Sequence, residues 1–338
     1  MLSFLVPMPA QDIIEKLKDS GLTGRGGAGF QIWKKWQAVI DAESSQKYVI
    51  ANGAEGEPGV FKDDYVLDKK AKELITGIKI AMETINASEA YIYLNQEFFK
   101  KYQKPLLKLI GKDKIHLFEK PEGYIAGEET TLLNAIEGKR LIPRLRPPYP
   151  TTCGLYGSPT LINNLETFYQ VALIAEDKYF GERLYSIGGD APKPGVFELS
   201  EKIIIKEILE KSKNLPAFDF FVQIGGGASG EVLNSTQLEK PLSGTGSIII
   251  YNLKKTDLKK LLNYWIEFFA KESCGQCVPC REGTYRLREL FQQNKQDWSK
   301  IGDLLFVLEQ TSFCALGGSV PLPILTFFKN VKTAWTGL

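Results

Sequence analysis

The chain has 338 residues, of which 42 are Lys or Arg and 40 are Asp or Glu, so its formal net charge is only +2. This balance excludes the strongly basic surface that is typical of nucleic-acid-binding proteins. The only histidine is His116, which nearly excludes catalysis by histidine and zinc sites of mixed histidine and cysteine ligands. Chemistry must then come from a cofactor or from carboxylates, Lys and Arg. The length predicts two or three domains.

The first part of the chain alternates between helical and strand patterns. A helix is predicted over "AQDIIEKLKDS", with Gly21 as its stop, and the glycine-rich "TGRGGAGF" follows as a loop. Strands are predicted at "QKYVIANGAEG" and "EAYIYLN", with the helical "KKAKELITGIKIAMETIN" between them. That order is typical of a parallel sheet, so we expect a mixed α/β domain over residues 1–178.

The remainder of the chain divides into a β-rich and a helical segment. Short β patterns with turn residues between them run over residues 179–252, with one helical piece at "IIIKEILEKS". Residues 253–338 have helical periodicity, and they carry four of the five cysteines. We therefore expect a small β-rich domain followed by a helical one.

The cellular compartment is predicted from absent signals. The sequence has no run of about 18 apolar residues, and its N-terminal segment lacks a basic region and a small-residue cleavage site. Cysteines that are odd in number and clustered also disfavour a disulfide framework. We expect a cytoplasmic protein without direct membrane insertion.

Three cysteines fall within seven residues of the helical segment. Cys274, Cys277 and Cys280 are followed after an intervening helix by Cys314, which gives the pattern C-x2-C-x2-C-x33-C. Four thiolates in this spacing favour an iron–sulfur cluster. A structural zinc site is the competing interpretation, but such sites usually have two separated pairs of cysteines. We expect the remaining cysteine, Cys153, to be a small buried apolar residue.

Glycines and carboxylates follow the predicted strands and loops. The "GRGGAGF" loop follows a helix, so it does not form the phosphate turn of a dinucleotide fold, but Arg25 in it could neutralise a phosphate. Glu55 and Glu57, and later Glu128 and Glu129, lie in glycine-flanked segments at predicted strand ends, where parallel sheets bind ligands. We expect these carboxylates to face ribose hydroxyls, an amide or water. A solvated acidic surface is the alternative.

Two further segments carry candidate binding groups. "RLIPRLRPPYP" combines Arg144, Arg146 and Tyr149 with stiffening prolines. "INNLET" offers the adjacent amides of Asn163 and Asn164, which can meet both the donor and the acceptor edge of a heteroaromatic ring.

These blocks together resemble the NADH-binding flavoprotein subunit of respiratory complex I and its relatives in NAD-linked hydrogenases and formate dehydrogenases. The resemblance covers essentially the whole chain and rests on "GLTGRGGAGF", "GEPGVFKD", "YIAGEETTLLNAIEGKR", "RPPYP", "GSPTLINNLET", "GTGSIIIYN", "ESCGQCVPCREG" and "SFCALG". It implies a Rossmann-like domain that binds FMN and NAD(H), a ubiquitin-like β-grasp domain, and a C-terminal helical bundle with a [4Fe–4S] cluster. The implied activity is that of an NADH:acceptor oxidoreductase.

The resemblance also implies roles for individual residues. The implied FMN contacts are Gly24, Arg25, Gly26, Gly27, Lys35, Asn52, Glu55, Gly127, Glu128, Asn163 and Asn164. The implied nucleotide contacts are Phe30, Lys35, Glu55, Glu57, Glu129, Arg146 and Tyr149. The implied cluster ligands are Cys274, Cys277, Cys280 and Cys314. No catalytic acid or base is implied, because the flavin carries the chemistry.

Two departures from the family pattern keep a second function open. Ala54 stands where the family usually has an acidic residue, and Ala38 stands where it often has an aromatic one. The alternative is a flavin and cluster relay that has lost nucleotide binding. In either case we expect iron–sulfur protein subunits as partners, which dock near "CVPCREG" or "FCALGG". The apolar "SVPLPILTFFKNVKTAW" is either part of that surface or a helix that faces its own core.

Overall fold

A computed structural model describes residues 9–293 and 297–331, which form two compact units. The first unit comprises the chain up to residue 55 together with residues 61–122 and 126–182. The second comprises residues 56–60, 123–125 and the chain from 183 onward. The predicted β-rich and helical segments thus lie in one unit, and their separation at residue 252 stays a prediction.

The first unit is built on a parallel sheet. Its elements are α1 (Ala10–Ser20), α2 (Ile32–Asp41), β1 (Tyr48–Gly53), α3 (Lys62–Lys69), α4 (Ala71–Ile85), β2 (Glu89–Leu94), α5 (Gln96–Ile110), β3 (Ile115–Glu119), α6 (Glu129–Ile136), β4 (Thr160–Asn164) and α7 (Leu165–Ala175). The strand order is β3-β2-β1-β4, and each pairing is parallel. Val49, Ile50 and Ala51 of β1 are fully buried, as expected for a central strand covered on both faces.

The local predictions for this unit are confirmed. The predicted strands pair as β1 and β2 across the helix α4. Helix α1 ends at Gly21, whose φ of 68° is a left-handed conformation that glycine adopts readily. The glycine-rich segment forms a loop that is closed by a bridge between Thr23 and Gln31.

The second unit combines a mixed sheet with helices. Its elements are β5 (Glu182–Gly189), β6 (Gly195–Ser200), α8 (Ile205–Lys211), β7 (Phe220–Ile224), β8 (Glu231–Asn234), β9 (Ser247–Asn252), α9 (Leu258–Glu272), α10 (Val278–Gln292), α11 (Trp298–Thr311), α12 (Ala315–Ser319) and α13 (Pro321–Asn330). The strand order is β6-β5-β9-β7-β8, and β5 and β9 run parallel. The predicted mixed α/β class with a parallel sheet and a helical C-terminal region is confirmed.

An apolar core holds the helices of the second unit against its sheet. Trp265 of α9 is fully buried, and its indole Nε1 donates to the carbonyl of Gly227 over 3.0 Å. Thr326 of α13 accepts a hydrogen bond from the backbone of Val232 on β8. Within the described ranges, no helix is long and apolar enough to cross a membrane.

Candidate functional site

The carboxyl ends of β1 and β4 form a topological switch point in the first unit. Chain order runs outward from β1 through β2 to β3 on one side, while β4 lies on the other. Asn52 and Asn164, at the ends of these two strands, are opposite each other in the register. In open α/β sheets ligands bind at such a point, outside the carboxyl ends of the strands.

Asn52 connects this strand end to the segment that carries the second acidic pair. Its Nδ2 donates to the carbonyl of Gly127 over 2.9 Å, and its Oδ1 accepts from the backbone of Ala54 over 3.1 Å. A Cβ on Gly127 would lie only 2.9 Å from the Cβ of Ala54. The close approach therefore depends on the small residues at both positions.

Glu55 has an unusual backbone and an unusual environment. Its φ is 25°, and its carboxylate accepts hydrogen bonds from the backbone N–H groups of Asp63 and Asp64 at the start of α3. Burial, reinforced by the charge of Asp63, raises the pKa of Glu55 to about 8. This carboxyl therefore keeps its proton at neutral pH.

A buried polar network lies beside Glu55, and the sequence did not reveal it. The ammonium of Lys62 lies 2.9 Å from Glu166, 3.0 Å from Asn164 Oδ1 and 3.4 Å from Asp63. Burial opposes the charge of Lys62, yet the carboxylates of Glu166 and Asp63 hold its pKa above the ordinary value. The Asn164 amide donates to both carboxylate oxygens of Asp63, so protein partners already engage both of its ends.

Glu128 caps the N-terminus of α6 with one of its two oxygens. Oε2 accepts from the backbone and hydroxyl groups of Thr130 and Thr131 over 2.6–3.0 Å. Oε1 is buried and has no hydrogen-bond partner among the described residues, and the guanidinium of Arg146 lies 3.7 Å away. An acceptor thus remains for a donor on a bound molecule.

The next residue, Glu129, bridges two cations. Its carboxylate lies 3.1 Å from Lys35 Nζ and 2.8 Å from Arg146 Nη1. All three side chains are partly exposed, so the cluster is accessible to a ligand. Phe30 and Tyr149 are each 55% exposed, and their rings are therefore available for stacking.

The glycine loop lies over the end of β4, but Arg25 points away from it. A Cβ on Gly26 would contact Asn164 at 3.6 Å. The guanidinium of Arg25 is buried and donates to Gln170, Thr23 and Tyr179. A phosphate role for this side chain stays a prediction, and its contacts here are structural.

Two other sequence candidates are also held by protein partners. With its amide oriented by its neighbours, Asn163 accepts from Trp36 Nε1 and donates to the carbonyl of Ile162. Glu57 belongs to the second unit, where its carboxylate accepts from the N–H groups of Ala228 and Ser229 and from the hydroxyl of Tyr124 at 2.7 Å. The structure therefore does not bring Glu57 into the strand-end group of the first unit.

The four clustered cysteines line one edge of the core of the second unit. Cys277 is the N-cap of α10, Cys280 lies in its first turn, and Cys314 precedes α12. Burial raises the pKa of Cys280 to about 11, and the charges of Cys277, Cys314 and Cys274 act in the same direction. The four thiols are therefore near neighbours, and none of the chain's five cysteines, all of them described, forms a disulfide.

Comparisons with known proteins identify the family. Residues 17–173 match the Nuo51 FMN-binding domain, and residues 260–336 match the NADH-ubiquinone oxidoreductase-F iron-sulfur binding region. An F subunit of NADH-quinone oxidoreductase in Rhizobium meliloti, the one numbered 2, is 32% identical, over 95% of this chain and 87% of that protein. This chain belongs to the family of NADH-quinone oxidoreductase F subunits.

Other relatives in this family extend beyond the length of this chain. The NAD-reducing hydrogenase HoxS subunit alpha of Cupriavidus necator is 36% identical over 94% of this chain, which spans 58% of that protein. A crystal structure of NAD+-reducing [NiFe]-hydrogenase in the H2-reduced state matches with a TM-score of 0.88 and 28% identity, over 98% of this chain and 66% of that one. The resemblance inferred from the sequence is confirmed.

The residues of the FMN-binding region fit the flavin that this family binds. The buried Glu128 Oε1 lacks a donor among the described residues, and the small residues at Gly127 and Ala54 keep the strand end open to a flat ring. Lys35 and Arg146 place positive charge near the same edge. FMN has N–H and hydroxyl donors and a phosphate, so it can satisfy these groups.

The iron–sulfur region also fits its cofactor. It offers four thiols, two of them buried, and Gly275 turns the chain between the first two with a φ of 75°. Within the described ranges, no three His, Cys, Asp or Glu side chains lie close enough together to hold a single metal ion. A four-iron cluster is wider than one ion, so its ligands need not converge to single-ion distances.

The expectation for Cys153 is wrong. Its side chain is exposed, because Thr152 and Cys153 both donate backbone hydrogen bonds to the carbonyl of Tyr149 in a surface turn. Burial is common for cysteine as a residue type, but a turn that follows prolines places the side chain outside.

Proposed function

We propose that this chain is the electron-input subunit of an NADH dehydrogenase-type complex. It would take electrons from NADH through FMN and pass them singly through a [4Fe–4S] cluster to a partner subunit. The observation that carries the proposal is the coincidence of two matched regions with two sites. Residues 17–173 contain the strand-end group with its unpartnered Glu128 oxygen, and residues 260–336 contain the four thiols.

Each cofactor would supply a different part of the chemistry. FMN accepts two electrons together from a nicotinamide and releases them one at a time, and the cluster carries single electrons. The protein orients these groups and excludes competing reactions. Asn52 and Glu128 would hold the flavin by donor and acceptor contacts, while Lys35 would compensate negative charge.

The residue assignments remain those of the sequence. We propose FMN contacts from Gly24, Arg25, Gly26, Gly27, Lys35, Asn52, Glu55, Gly127, Glu128, Asn163 and Asn164. We propose nucleotide contacts from Phe30, Lys35, Glu55, Glu57, Glu129, Arg146 and Tyr149. The exposed rings of Phe30 and Tyr149 support the second set, because a nucleotide base can stack on them.

Domain names follow from strand order. The order β3-β2-β1-β4 of parallel strands supports a Rossmann-like domain over residues 1–178. The order β6-β5-β9-β7-β8, with α8 after the second strand, supports a β-grasp domain over residues 179–252. Residues 253–338 would be the helical [4Fe–4S] domain.

The partners we propose are iron–sulfur protein subunits of a larger cytoplasmic or membrane-peripheral complex. Val278 and Phe313, each beside a proposed cluster ligand, are 59% and 57% exposed. Helix α13 buries Ile324 but leaves Leu325 51% exposed, so this segment both faces its own core and presents apolar surface. Residues 332–335 of the same predicted segment lie outside the described residues.

One observation favours the relay that has lost nucleotide binding. The carboxylate of Glu57 is already engaged by Ala228, Ser229 and Tyr124, so it offers little to a ribose. Purified holoprotein that reduces an artificial dye with NADH would exclude this second function.

The test of the main proposal compares Cys277→Ser with Cys153→Ser in anaerobically purified protein. We expect the first variant to lose most of its iron while NADH still reduces its flavin, because the two sites lie in separate units. The second should keep its iron, because Cys153 is exposed and far along the chain from the other four. Equal iron in Cys277→Ser and the parent would refute the ligand set.

A further inference from the structure

Two serine hydroxyls lie beside the cysteines, and neither has a role in the electron transfer proposed above. Ser273 precedes Cys274, and its Oγ lies 3.3 Å from the Sγ of Cys280. The same hydroxyl accepts a hydrogen bond from the backbone of Gly275. Ser273 is therefore fixed at the turn that carries the first ligands.

The second hydroxyl, that of Ser312, is buried and has no hydrogen-bond partner among the described residues. Gly317 marks where it lies. A Cβ on Gly317 would be 2.3 Å from Ser312 Oγ and 3.1 Å from the Cβ of Cys280. The hydroxyl and the base of the Cys280 side chain thus flank the same space, which stays open because residue 317 has no side chain.

Neighbouring hydroxyls have partners within their own helices. Thr284 donates to the carbonyl of Cys280 over 2.7 Å, Thr311 to that of Val307, and Ser319 to that of Leu316. A buried hydroxyl without a partner is unfavourable, because it has lost its water and gained nothing in return. Ser312 therefore calls for an acceptor at the ligand site.

We propose that the hydroxyls of Ser273 and Ser312 donate hydrogen bonds to sulfur atoms of the bound [4Fe–4S] cluster and raise its reduction potential. The inference rests on the four-cysteine ligand set proposed above. When Cys280 binds iron as a thiolate it has no proton to give, so the hydroxyl of Ser273 becomes the donor of the existing contact. The sulfurs of the cluster supply the acceptor that Ser312 lacks.

The direction of the effect follows from charge. Reduction adds one electron to the cluster, and a hydrogen-bond donor stabilises the more negative state more strongly. Cys277 and Cys280 are buried among apolar residues, where such a contact is stronger than in water. No proton transfer is needed, so the predicted change is one of potential and not of its pH dependence.

The experiment uses holoprotein with both cofactors and compares Ser312→Ala and Ser273→Ala with the parent. Ser319→Ala is the matched control, because its hydroxyl already bonds to the carbonyl of Leu316. Iron content is measured first, and the midpoint potential of the cluster is then followed by electron paramagnetic resonance. We expect both test variants to shift to lower potential at full iron content, and Ser319→Ala to keep the parental value.

The outcomes separate the two proposals. Full iron with an unchanged potential in Ser312→Ala and Ser273→Ala would overturn this inference and leave the ligand set intact. If Ser312→Ala loses iron, Ser312→Thr keeps a hydroxyl, and retention of iron and potential in that variant would support the contact. Loss of iron in both Ser312 variants would count against it, while unaltered iron in Cys277→Ser would remove the ligand set itself.

Discussion

At the scale of single residues, the strand-end site is defined by carboxyls with contrasting environments. Glu55 is desolvated and faces another acid, whereas Glu129 is paired with Lys35 and Arg146. One carboxyl is therefore neutral at physiological pH while the other is a paired anion. The sequence presents both as glutamates after glycine-flanked strand ends, and only the packing around α3 distinguishes them.

The protonation of Glu55 predicts a pH dependence of stability. Its pKa of about 8 in the folded protein lies above the ordinary value of 4.5, so the folded state binds more protons between these values. The free energy of unfolding should therefore fall as the pH rises from about 4.5 to about 8, by at most about 1.4 kcal/mol per pH unit from this group. Urea unfolding across that range should give a flatter profile for Glu55→Gln. Parallel profiles for variant and parent would contradict the assignment.

Lys62 is the cation on which the buried network depends. Lys62→Met would leave the carboxylates of Glu166 and Asp63 buried without their counter-charge. We expect the free energy of unfolding to drop by about 3–5 kcal/mol, as measured by urea denaturation. Lys101→Met, which removes an exposed ion pair with Asp64, is the control and should change little. Similar effects of the two substitutions would show that the network contributes no more than a surface pair.

At the scale of elements, the packing of α4 against α7 depends on one glycine. A Cβ on Gly77 would lie 1.8 Å from the carbonyl oxygen of Phe168, so the two helix backbones approach closely there. Glycine costs a helix about 1 kcal/mol relative to alanine, and here the close contact outweighs that cost.

This contact predicts opposite signs for two similar substitutions. Gly77→Ala should destabilise the protein by about 1–3 kcal/mol, because the helices must separate. Gly302→Ala lies within α11, where an added Cβ would meet no atom within 4 Å, so it should stabilise the protein by about 0.5–1 kcal/mol. Thermal or urea unfolding of both variants measures this, and stabilisation by Gly77→Ala would refute the packing argument.

Elements with strong local signals were predictable from the sequence. The strands β1 and β2, the stop of α1 at Gly21 and the helices of the second unit follow from periodicity and capping residues within short windows. The contact of Lys62 with Asn164 spans 102 residues, and no local pattern encodes it. The exposure of Cys153 was missed for a related reason, because residue type was weighed above the turn that contains it.

At the scale of the whole molecule, the charges near the proposed nucleotide site predict a preference for NADH over NADPH. Arg146 is engaged by Glu129 at 2.8 Å, so its guanidinium is less available to a 2′-phosphate. Carboxylates near the ribose would repel that phosphate. Steady-state kinetics with both nucleotides should give a higher kcat/KM for NADH. Comparable values would show that these carboxylates do not contact the ribose.

The central claim is that one chain joins an NADH-reducible flavin to an iron–sulfur cluster. The most direct test is the visible spectrum of anaerobically purified protein before and after NADH is added. The account predicts flavin bands on a broad iron–sulfur absorption, and both should bleach when NADH is added. A colourless protein, or a coloured one whose spectrum NADH leaves unchanged, would contradict it.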